Sequence, residues 1–344
     1  MRVMVGSHEG AGSNEVAVDF LLSDDQKKLQ DSIAEFARER IAPQAEARDR
    51  EARFPVELFQ ELGRMGVTAI PFGPEWGGLG LGVFDAALAL EEIARADQSL
   101  AVSAMVSMAT GLTLSRFGSK ALKERYLPDI VAGRRICAIA GTEPNAGSDT
   151  AGFKTTARRA ANNGWVLNGE KAFITNSGTE ITSFALVLAV TSPAAAERKS
   201  FTLFAVPAKA PGFATGEPYR KMGWRSSDTA ELYLDNLHVP HDALLGEEGK
   251  GFRYILDGMN AERILVASDS LGDARWFTEK AVAYAGQRVI FGKPIGANQG
   301  VQFPIAKAHV NIEPPISCAP RRPGCSTRAS LRPRGQHGQV PGPR

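Results

Sequence analysis

Apolar residues recur at helical spacing through the first 130 or so residues of this chain of 344. Ser23 is predicted to begin a helix, because Gln26 follows three residues later as in a capping box. Apolar positions then keep a period of three to four residues as far as Pro43. The same spacing predicts four more helices, at 55–65, 83–96, 98–116 and 119–132. Residues 21–134 are therefore predicted to form an all-α domain, preceded by a flexible leader at 1–20.

After Gly133 the pattern changes to alternation. Short alternating or β-branched runs predict strands at Trp165–Asn168, Lys171–Thr175, Phe184–Val190, Phe201–Val206 and Glu231–Leu234. The dipeptide Asn168-Gly169 between the first two runs predicts a hairpin turn. Residues 135–246 are therefore predicted to form a small β domain, a barrel or a sandwich.

Helical spacing returns in the third part of the chain. It predicts helices at Gly251–Gly272 and Arg275–Val289, and the start of another at Gln299. Residues 247–313 are therefore predicted to be a C-terminal α-helical bundle. The order α, β, α predicts an α+β fold in which three units pack around a central site.

A tail of different composition follows at 314–344. It contains six arginines, seven prolines and no acidic residue, so the chain's net charge of +2 belongs to the tail. Apolar periodicity stops at Glu313, and we expect the C-terminal bundle to be incomplete there. A frameshift is one explanation for such a tail, and a chain ending in this way is expected to be inactive.

Composition and charge exclude several classes of protein. A hydrophobic content of 43% with 23% charged residues is typical of a soluble globular protein. The run Gln98–Ser115 is uncharged but rich in serine and threonine, which favours a buried helix over a membrane span. Only Cys137 lies outside the tail, and no apolar signal segment is visible in Met1–Gly10, so a cytoplasmic location is expected. No basic stripe with interleaved aromatic residues points to nucleic acid.

Three segments carry chemistry. Segment 141–149, GTEPNAGSD, places hydroxyls and backbone N–H groups in a glycine-containing loop, although an ordinary solvated turn has the same composition. Segment 168–176, NGEKAFITN, contains Phe173, which alone is more typical of a core residue. Segment 288–295, RVIFGKPI, ends a helix with Arg288, which a helix dipole alone would favour.

In this order and at this spacing, the three segments resemble the acyl-CoA dehydrogenase family over Leu21–Glu313. Segments 74–80, PEWGGLG, and 221–229, KMGWRSSDT, extend the resemblance. Gly141 departs from the family pattern, which usually has a branched apolar residue there. The resemblance implies FAD as cofactor and an acyl-CoA thioester as substrate.

The resemblance also implies roles for individual residues. Those expected to line the flavin are Ile139, Gly141, Thr142, Gly147, Ser148, Phe173 and Thr175. Thr142 would hydrogen-bond to the ring, Thr175 would reach its N5 edge, and Phe173 stands where the family often has tryptophan. Acyl-CoA would contact Ser148, Asn260 and Arg263.

A second implied group would hold the FAD of a neighbouring subunit, and a guanidinium suits its pyrophosphate. The group consists of Arg288, Val289, Ile290, Asn298 and Gln299. It implies a homodimer or homotetramer.

The implied reaction is an α,β-dehydrogenation, a step of fatty acid β-oxidation. A carboxylate removes the α-proton of the thioester, a hydride leaves the β-carbon for flavin N5, and trans-2-enoyl-CoA forms. A carboxylate with a raised pKa suits this task. Most relatives supply a glutamate from late in the C-terminal domain. A minority, resembling isovaleryl-CoA and long-chain dehydrogenases, supply it from an earlier helix, and Glu262 falls on that position. An electron-transferring flavoprotein would then take the electrons.

Other readings stay open. An acyl-CoA oxidase or flavin monooxygenase of the same fold would turn over with oxygen alone, and a truncated chain would be non-catalytic. Two weaker signals are not expected to be functional. The glycines of 77–82 do not fit the G-x-G-x-x-G spacing of a dinucleotide loop. Pro240 between His238 and His241 prevents the helix that would align two zinc ligands, so no metal is expected.

Overall fold

The computed structural model describes residues 22–161, 163–192 and 199–313. The leader predicted at 1–20 and the tail at 314–344 lie outside these residues. The helices are α1 (Asp24–Phe36), α2 (Ala45–Glu51), α3 (Val56–Arg64), α4 (Val83–Ala96), α5 (Gln98–Phe117), α6 (Lys120–Val131), α7 (Gly251–Gln287) and α8 (Gln299–Ile312). The strands are β1 (Ile136–Ala140), β2 (Thr156–Arg159), β3 (Trp165–Thr175), β4 (Thr182–Val190), β5 (Phe201–Pro207), β6 (Phe213–Thr215), β7 (Thr229–Val239), β8 (Leu244–Leu245), β9 (Val289–Ile290) and β10 (Lys293–Pro294). This order confirms the predicted α+β fold.

The N-terminal helices form as their sequence signals predict. The Ser23 side chain accepts a hydrogen bond from the Gln26 N–H, and the Gln26 side chain accepts one from the Ser23 N–H, which completes the capping box. The prediction that this helix runs unbroken to Pro43 is wrong in detail. The chain passes through a π-helical turn, Ala37–Ile41, and a 3-10 turn, Ala42–Gln44, before α2 begins. Pro43 lies in the first turn of the 3-10 segment, where its missing N–H costs nothing.

Helix α5 runs through the middle of the helical domain. By length and composition it could cross a membrane, but 72% of its apolar window is buried inside the fold. It packs in one apolar core with the neighbouring helices and one face of the sheet. This agrees with the prediction that Gln98–Ser115 forms a buried helix.

The middle domain is one sheet with the strand order β6-β7-β3-β2-β4-β5-β8, and β1 pairs with β4 in parallel. Alternate residues of β4 face two different cores. Phe184, Leu186 and Leu188 lie in the core shared with the helices, whereas Ala185 and Val187 lie in the core of the β domain. A strand buried on both faces has an almost continuous apolar sequence. The sheet thereby joins the helical units to the β domain.

The hairpin predicted at Asn168-Gly169 is wrong, because β3 continues through it as one strand. β3 pairs with β7 on both sides of this point, with a shift in register between Leu167 and Gly169. Gly169 has φ +151°, and a Cβ there would lie 2.5 Å from Thr155 Oγ1. The glycine therefore permits an irregularity within a strand that has neighbours on both sides.

The helix break predicted after Gly272 is also wrong, because α7 runs without interruption for 37 residues. A Cβ on Gly272 would lie 2.1 Å from the Glu91 carbonyl oxygen, so this residue lets α7 approach α4 closely. Arg275 continues the contact, and its Nε donates to Glu91 Oε1 at 2.6 Å. The glycine is a packing residue inside the helix rather than a stop signal.

Asp269 of α7 is 2% exposed, and its Oδ1 has no hydrogen-bond partner among the described residues. Burial, with a further contribution from the Asp273 charge, raises its pKa to about 8. In the unfolded chain the same carboxyl loses its proton near pH 4. Stability is therefore expected to fall as pH rises from about 4 to about 8, because the folded state holds a proton that the unfolded state releases.

Asp269→Asn is accordingly expected to raise the melting temperature at neutral pH, by an amount that grows between pH 5 and pH 8. Each unit of pKa difference is worth about 1.4 kcal/mol, so the gain at pH 8 is on the order of a few kcal/mol. Thermal unfolding across this pH range measures it. Asp25→Asn, at a side chain that is 95% exposed, is the control and should change little at any pH. A gain that does not depend on pH would show that Asp269 is not protonated in the folded state.

Candidate active site

A narrow cleft lies where α5, α7 and β1 meet. It is tight, with only about 10 Å³ of space wide enough for a water molecule. The lining residues are Val106, Ala109, Thr110 and Thr113 of α5, Ile139 of β1, and Ile255, Gly258, Met259 and Glu262 of α7. Among the described residues that line it, Glu262 is the ionisable one apart from hydroxyls. The cleft is thus an apolar channel with one carboxyl group.

Glu262 is half-buried in this cleft. Burial raises the pKa of its carboxyl group above the ordinary value, and the neighbouring Arg263 only partly offsets this. A carboxylate in such surroundings holds a proton more readily than one in water. It is therefore suited to act as a general base near neutral pH.

The loop after β1, residues 141–155, carries several of the residues predicted to face the flavin and is called the flavin loop. Glu143 and Ala146 exchange two backbone hydrogen bonds, 2.8 and 3.1 Å long, which close a tight turn. The Thr142 carbonyl accepts from the Ala172 N–H at 3.0 Å and ties the loop to β3. In the part of the chain that the structure describes, the hydroxyls of Thr142, Ser148 and Thr175 have no protein partner. The loop therefore offers hydroxyl groups to a ligand.

Phe173 has an unusual conformation for a core residue. Its φ is +60°, its side chain is 64% exposed, and its ring stacks on Tyr219 with centroids 5.0 Å apart. The Tyr219 hydroxyl donates to Glu231 at 2.9 Å. A non-glycine residue with positive φ and an exposed ring is typical of a functional position. The alternative interpretation, in which Phe173 is a buried core residue, is therefore wrong.

Asn260 and Arg263, predicted to contact acyl-CoA, are exposed on α7 beside Glu262. Arg263 Nη1 donates to Asn260 Oδ1 at 3.4 Å. Both side chains are accessible to a ligand next to the cleft, and their role in binding acyl-CoA stays a prediction.

The residues predicted to hold a neighbour's FAD lie elsewhere. Arg288 follows the end of α7, the pair Val289–Ile290 forms β9, and Asn298 and Gln299 begin α8. Between Glu262 and Arg288 the helix rises about 39 Å. The structure therefore does not bring this group together with the cleft of its own chain.

Lys171 and Glu143 are two buried residues that sequence reasoning passed over, although both belong to the quoted segments. Lys171 is 0% exposed and Glu143 is 6% exposed, and Lys171 Nζ lies 2.9 Å from Glu143 Oε1. A lysine in an otherwise apolar strand, with an acid in a preceding loop, is a weak signal. No sequence spacing shows that the two meet.

The cleft thus holds one half-buried carboxyl group, and β1, which lines the cleft through Ile139, leads directly into the loop with the hydroxyls of Thr142 and Ser148. Three family descriptions match the sequence: "Acyl-CoA dehydrogenase, N-terminal domain" over 23–134, "middle domain" over 138–237 and "C-terminal domain" over 249–314. The chain is 38% identical over 293 residues to an acyl-CoA dehydrogenase of Bacillus subtilis, covering 85% of this chain and 76% of that protein. It is 36% identical over 300 residues to isovaleryl-CoA dehydrogenase of Oryza sativa, covering 86% and 72%.

Solved structures agree. One is the glutaryl-CoA dehydrogenase of Mycobacterium smegmatis in complex with FADH2, with a TM-score of 0.79, 31% identity and coverage of 86% of this chain and 74% of that one. Another is a chain from a study of the electron transferring flavoprotein of Acidaminococcus fermentans, with a TM-score of 0.81, 35% identity and coverage of 86% and 77%. The chain therefore belongs to the acyl-CoA dehydrogenase family. It is an FAD-dependent oxidoreductase that acts on the CH–CH bond of an acyl-CoA.

The residues present fit this cofactor. A Cβ built on Gly141 would meet nothing within 4 Å, and one on Gly147 would meet only Thr142 Cγ2 at 3.7 Å, so both sides of the loop are open. The hydroxyls of Thr142 and Thr175, which have no partner among the described residues, would supply hydrogen bonds to a heterocycle, and the exposed Phe173 ring would offer it an aromatic contact.

Proposed function

We propose that Glu262 is the base that takes the α-proton of the acyl-CoA substrate. One juxtaposition carries this proposal: Glu262 of α7 and Ile139, which lies just before the flavin loop, line the same cleft. A substrate acyl group bound along this cleft would have the Glu262 carboxyl group on the α7 side and Ile139 of β1, the strand that leads into the loop, beside it. Glu262 is the ionisable side chain available there among the described lining residues.

The proposed reaction removes a proton and a hydride from neighbouring carbons of the acyl group. The α-carbon loses its proton to the Glu262 carboxylate, and the electron pair of that C–H bond forms the α,β double bond. FAD, when bound, supplies the acceptor for the hydride that leaves the β-carbon. Partial burial against α5 raises the pKa of Glu262, which makes it a better proton acceptor than a carboxylate in water. The product is the trans-2-enoyl thioester.

Ser148, Asn260 and Arg263 are the groups we assign to the substrate. The Ser148 hydroxyl is exposed in the flavin loop, and the other two side chains are exposed beside Glu262. Coenzyme A carries phosphates, for which a guanidinium is a strong partner. Ser148 would meet both flavin and thioester, as the family resemblance implies.

The segment around Arg288 is assigned to the FAD of a second subunit. The helical rise of about 39 Å between Glu262 and Arg288 supports this, since one chain cannot place both on a single flavin. The exposed Val289 and Ile290 supply the apolar surface of such a contact. A homodimer is the smallest assembly in which each flavin site is complete, and a homotetramer meets the same requirement.

An electron-transferring flavoprotein is the proposed electron acceptor. The similarity to a chain from the Acidaminococcus fermentans study supports this choice. The exposed Phe173 ring, stacked on Tyr219, lies beside the predicted flavin position and leaves that edge open to a partner.

Anaerobic mixing of the FAD-loaded protein with acyl-CoA thioesters of increasing chain length tests the proposal. We expect at least one of these thioesters to bleach the visible absorbance of the flavin in a single turnover. Free FAD with the same thioesters is the control and should not be bleached. Bound flavin that no acyl-CoA reduces would contradict the proposal and agree instead with the inactivity expected from the tail at 314–344. Sustained turnover with oxygen as sole acceptor would instead identify an oxidase.

A further inference from the structure

The flavin loop is held from beneath by two buried charged side chains. Lys171 Nζ donates to Glu143 Oε1 at 2.9 Å and to the Gly141 carbonyl at 3.0 Å. It also lies 5.1 Å from the centroid of the Phe153 ring. The Glu143 carboxylate accepts the backbone N–H groups of Lys154 and Thr155, at 2.6 and 3.0 Å. The pair thus contacts both ends of the loop.

The residues that face the ligand lie between these anchors. Thr142 stands between Gly141 and Glu143, which both bond to Lys171, and Ser148 lies in the span that Glu143 closes against Lys154. Lys171 also precedes Phe173 by two residues on β3. One ion pair therefore sets the relative positions of the loop and the strand, which together carry the predicted flavin contacts.

Stability alone does not account for such a pair. Removing two charges from water costs about as much as their attraction returns, and replacing a buried pair by apolar residues of similar size is often neutral or stabilising. The charged groups add directional hydrogen bonds, since an ammonium has three donors and a carboxylate about four acceptor sites. Burial lowers the pKa of Lys171, and the attraction and hydrogen bond of Glu143 limit that fall. For Glu143, burial acts to raise the pKa, but Lys171 and the backbone donors outweigh it and lower the value.

We propose that Lys171 and Glu143 are positioning residues whose buried ion pair holds the loop 141–155 in the shape that binds the flavin and the acyl thioester. This inference rests on the proposed function for the thioester, whereas the flavin part rests on the loop and the cofactor alone. Neither side chain is expected to touch the reacting atoms.

The test compares two variants of the FAD-loaded protein. Lys171→Met leaves the Glu143 carboxylate buried and unpaired, and should both lower the melting temperature and weaken FAD binding. The double variant Glu143→Leu with Lys171→Met removes both charges. We expect it to regain the parent's melting temperature, yet to show a changed visible circular dichroism of the bound flavin. We also expect its FAD dissociation constant and its KM for acyl-CoA to be about 10–100-fold higher, with a smaller loss in kcat.

Two further variants serve as a rescue and as a control. Lys171→Arg keeps the cation and is expected to restore much of the FAD affinity. Lys154→Met removes an exposed lysine of the same loop, whose side chain has no partner in the described part of the chain, and should behave like the parent. A double variant with the parent's flavin spectrum, FAD affinity and KM would overturn the proposal and leave the pair a purely structural role. If no acyl-CoA reduces the parent protein, the proposed function fails, while the flavin readouts still decide the role of the pair.

Discussion

Replacing Glu262 by glutamine is expected to slow anaerobic reduction of the bound flavin by acyl-CoA about 10²–10⁴-fold, while FAD stays bound. Glutamine keeps the size of the side chain but cannot accept the α-proton. Rapid mixing with a thioester that reduces the parent protein measures the rate. The flavin spectrum before mixing shows that the cofactor is in place.

Two observations separate a base from a merely nearby carboxylate. The rate of the parent protein should rise with pH as Glu262 loses its proton, with a midpoint above the ordinary glutamate value of about 4.3, because burial raises its pKa. This acid limb should be absent in Glu262→Gln. Glu279→Gln on the same helix, at a side chain that is 54% exposed, is the matched control and should react normally. A Glu262→Gln protein that reacts at nearly the parent's rate would place the base elsewhere.

Replacing Asp97 by alanine is expected to cost about 3–5 kcal/mol of folding stability. Arg48 and Asp97 are 2% and 6% exposed, and the guanidinium donates to Asp97 Oδ2 from Nε at 3.0 Å and from Nη2 at 2.8 Å. Alanine leaves this guanidinium buried, with only the Ile41 carbonyl as partner. Asp97 also caps α5, since its Oδ1 accepts from the Leu100 N–H at 3.2 Å, and losing a cap typically costs about 1 kcal/mol more.

Equilibrium unfolding in urea measures this loss. Asp97→Asn keeps an oxygen at the cap but removes the charge, so it should lie between the parent and Asp97→Ala. Glu46→Ala removes an ion pair with Arg50 whose side chains are 88% and 74% exposed, and should cost at most about 1 kcal/mol. If Asp97→Ala is no less stable than Glu46→Ala, the buried pair does not hold the domain together.

The sequence predicted the elements whose signals are local. Helices α4 and α5 follow from apolar spacing, and the start of α1 follows from Ser23 and Gln26, which bond to each other. Glycine was misread twice, at Gly169 and Gly272. A glycine that ends an element and one that lets a neighbour approach look alike in sequence. At both positions the deciding atom belongs to another element, Thr155 Oγ1 in one case and the Glu91 carbonyl in the other.

Strand β1 went unpredicted for a related reason. Its sequence, Ile136–Ala140, contains two alanines, which have little preference for strands. It forms because β4, more than 40 residues later, supplies a parallel partner, beginning at Thr182 opposite Ile136. Pairing across such a distance depends on the whole fold.

The residues of the site also divide into those that the sequence predicted and those that only the structure shows. Glu262 alone resembles a surface glutamate, and only the family resemblance selected it; its place in an apolar cleft comes from the packing of α7 on α5. The ion pair of Glu143 and Lys171 joins residues 28 positions apart and has no signature in either segment. Side chains that contact ligands were thus recognised from motifs. Those that hold the motifs in place became visible only in three dimensions.

The cleft has a simple construction with a consequence for how such proteins diverge. Its α5 wall is Val106, Ala109, Thr110 and Thr113, and its α7 wall repeats the same spacing at Ile255, Gly258, Met259 and Glu262. Each wall is therefore one stripe of a helix, about 10 Å long over seven residues. The flavin loop is held by residues outside these stripes, Lys171 and Glu143. After gene duplication, substitutions at the positions of these stripes other than Glu262 can lengthen, shorten or widen the cavity, while Glu262 and the flavin loop are inherited unchanged.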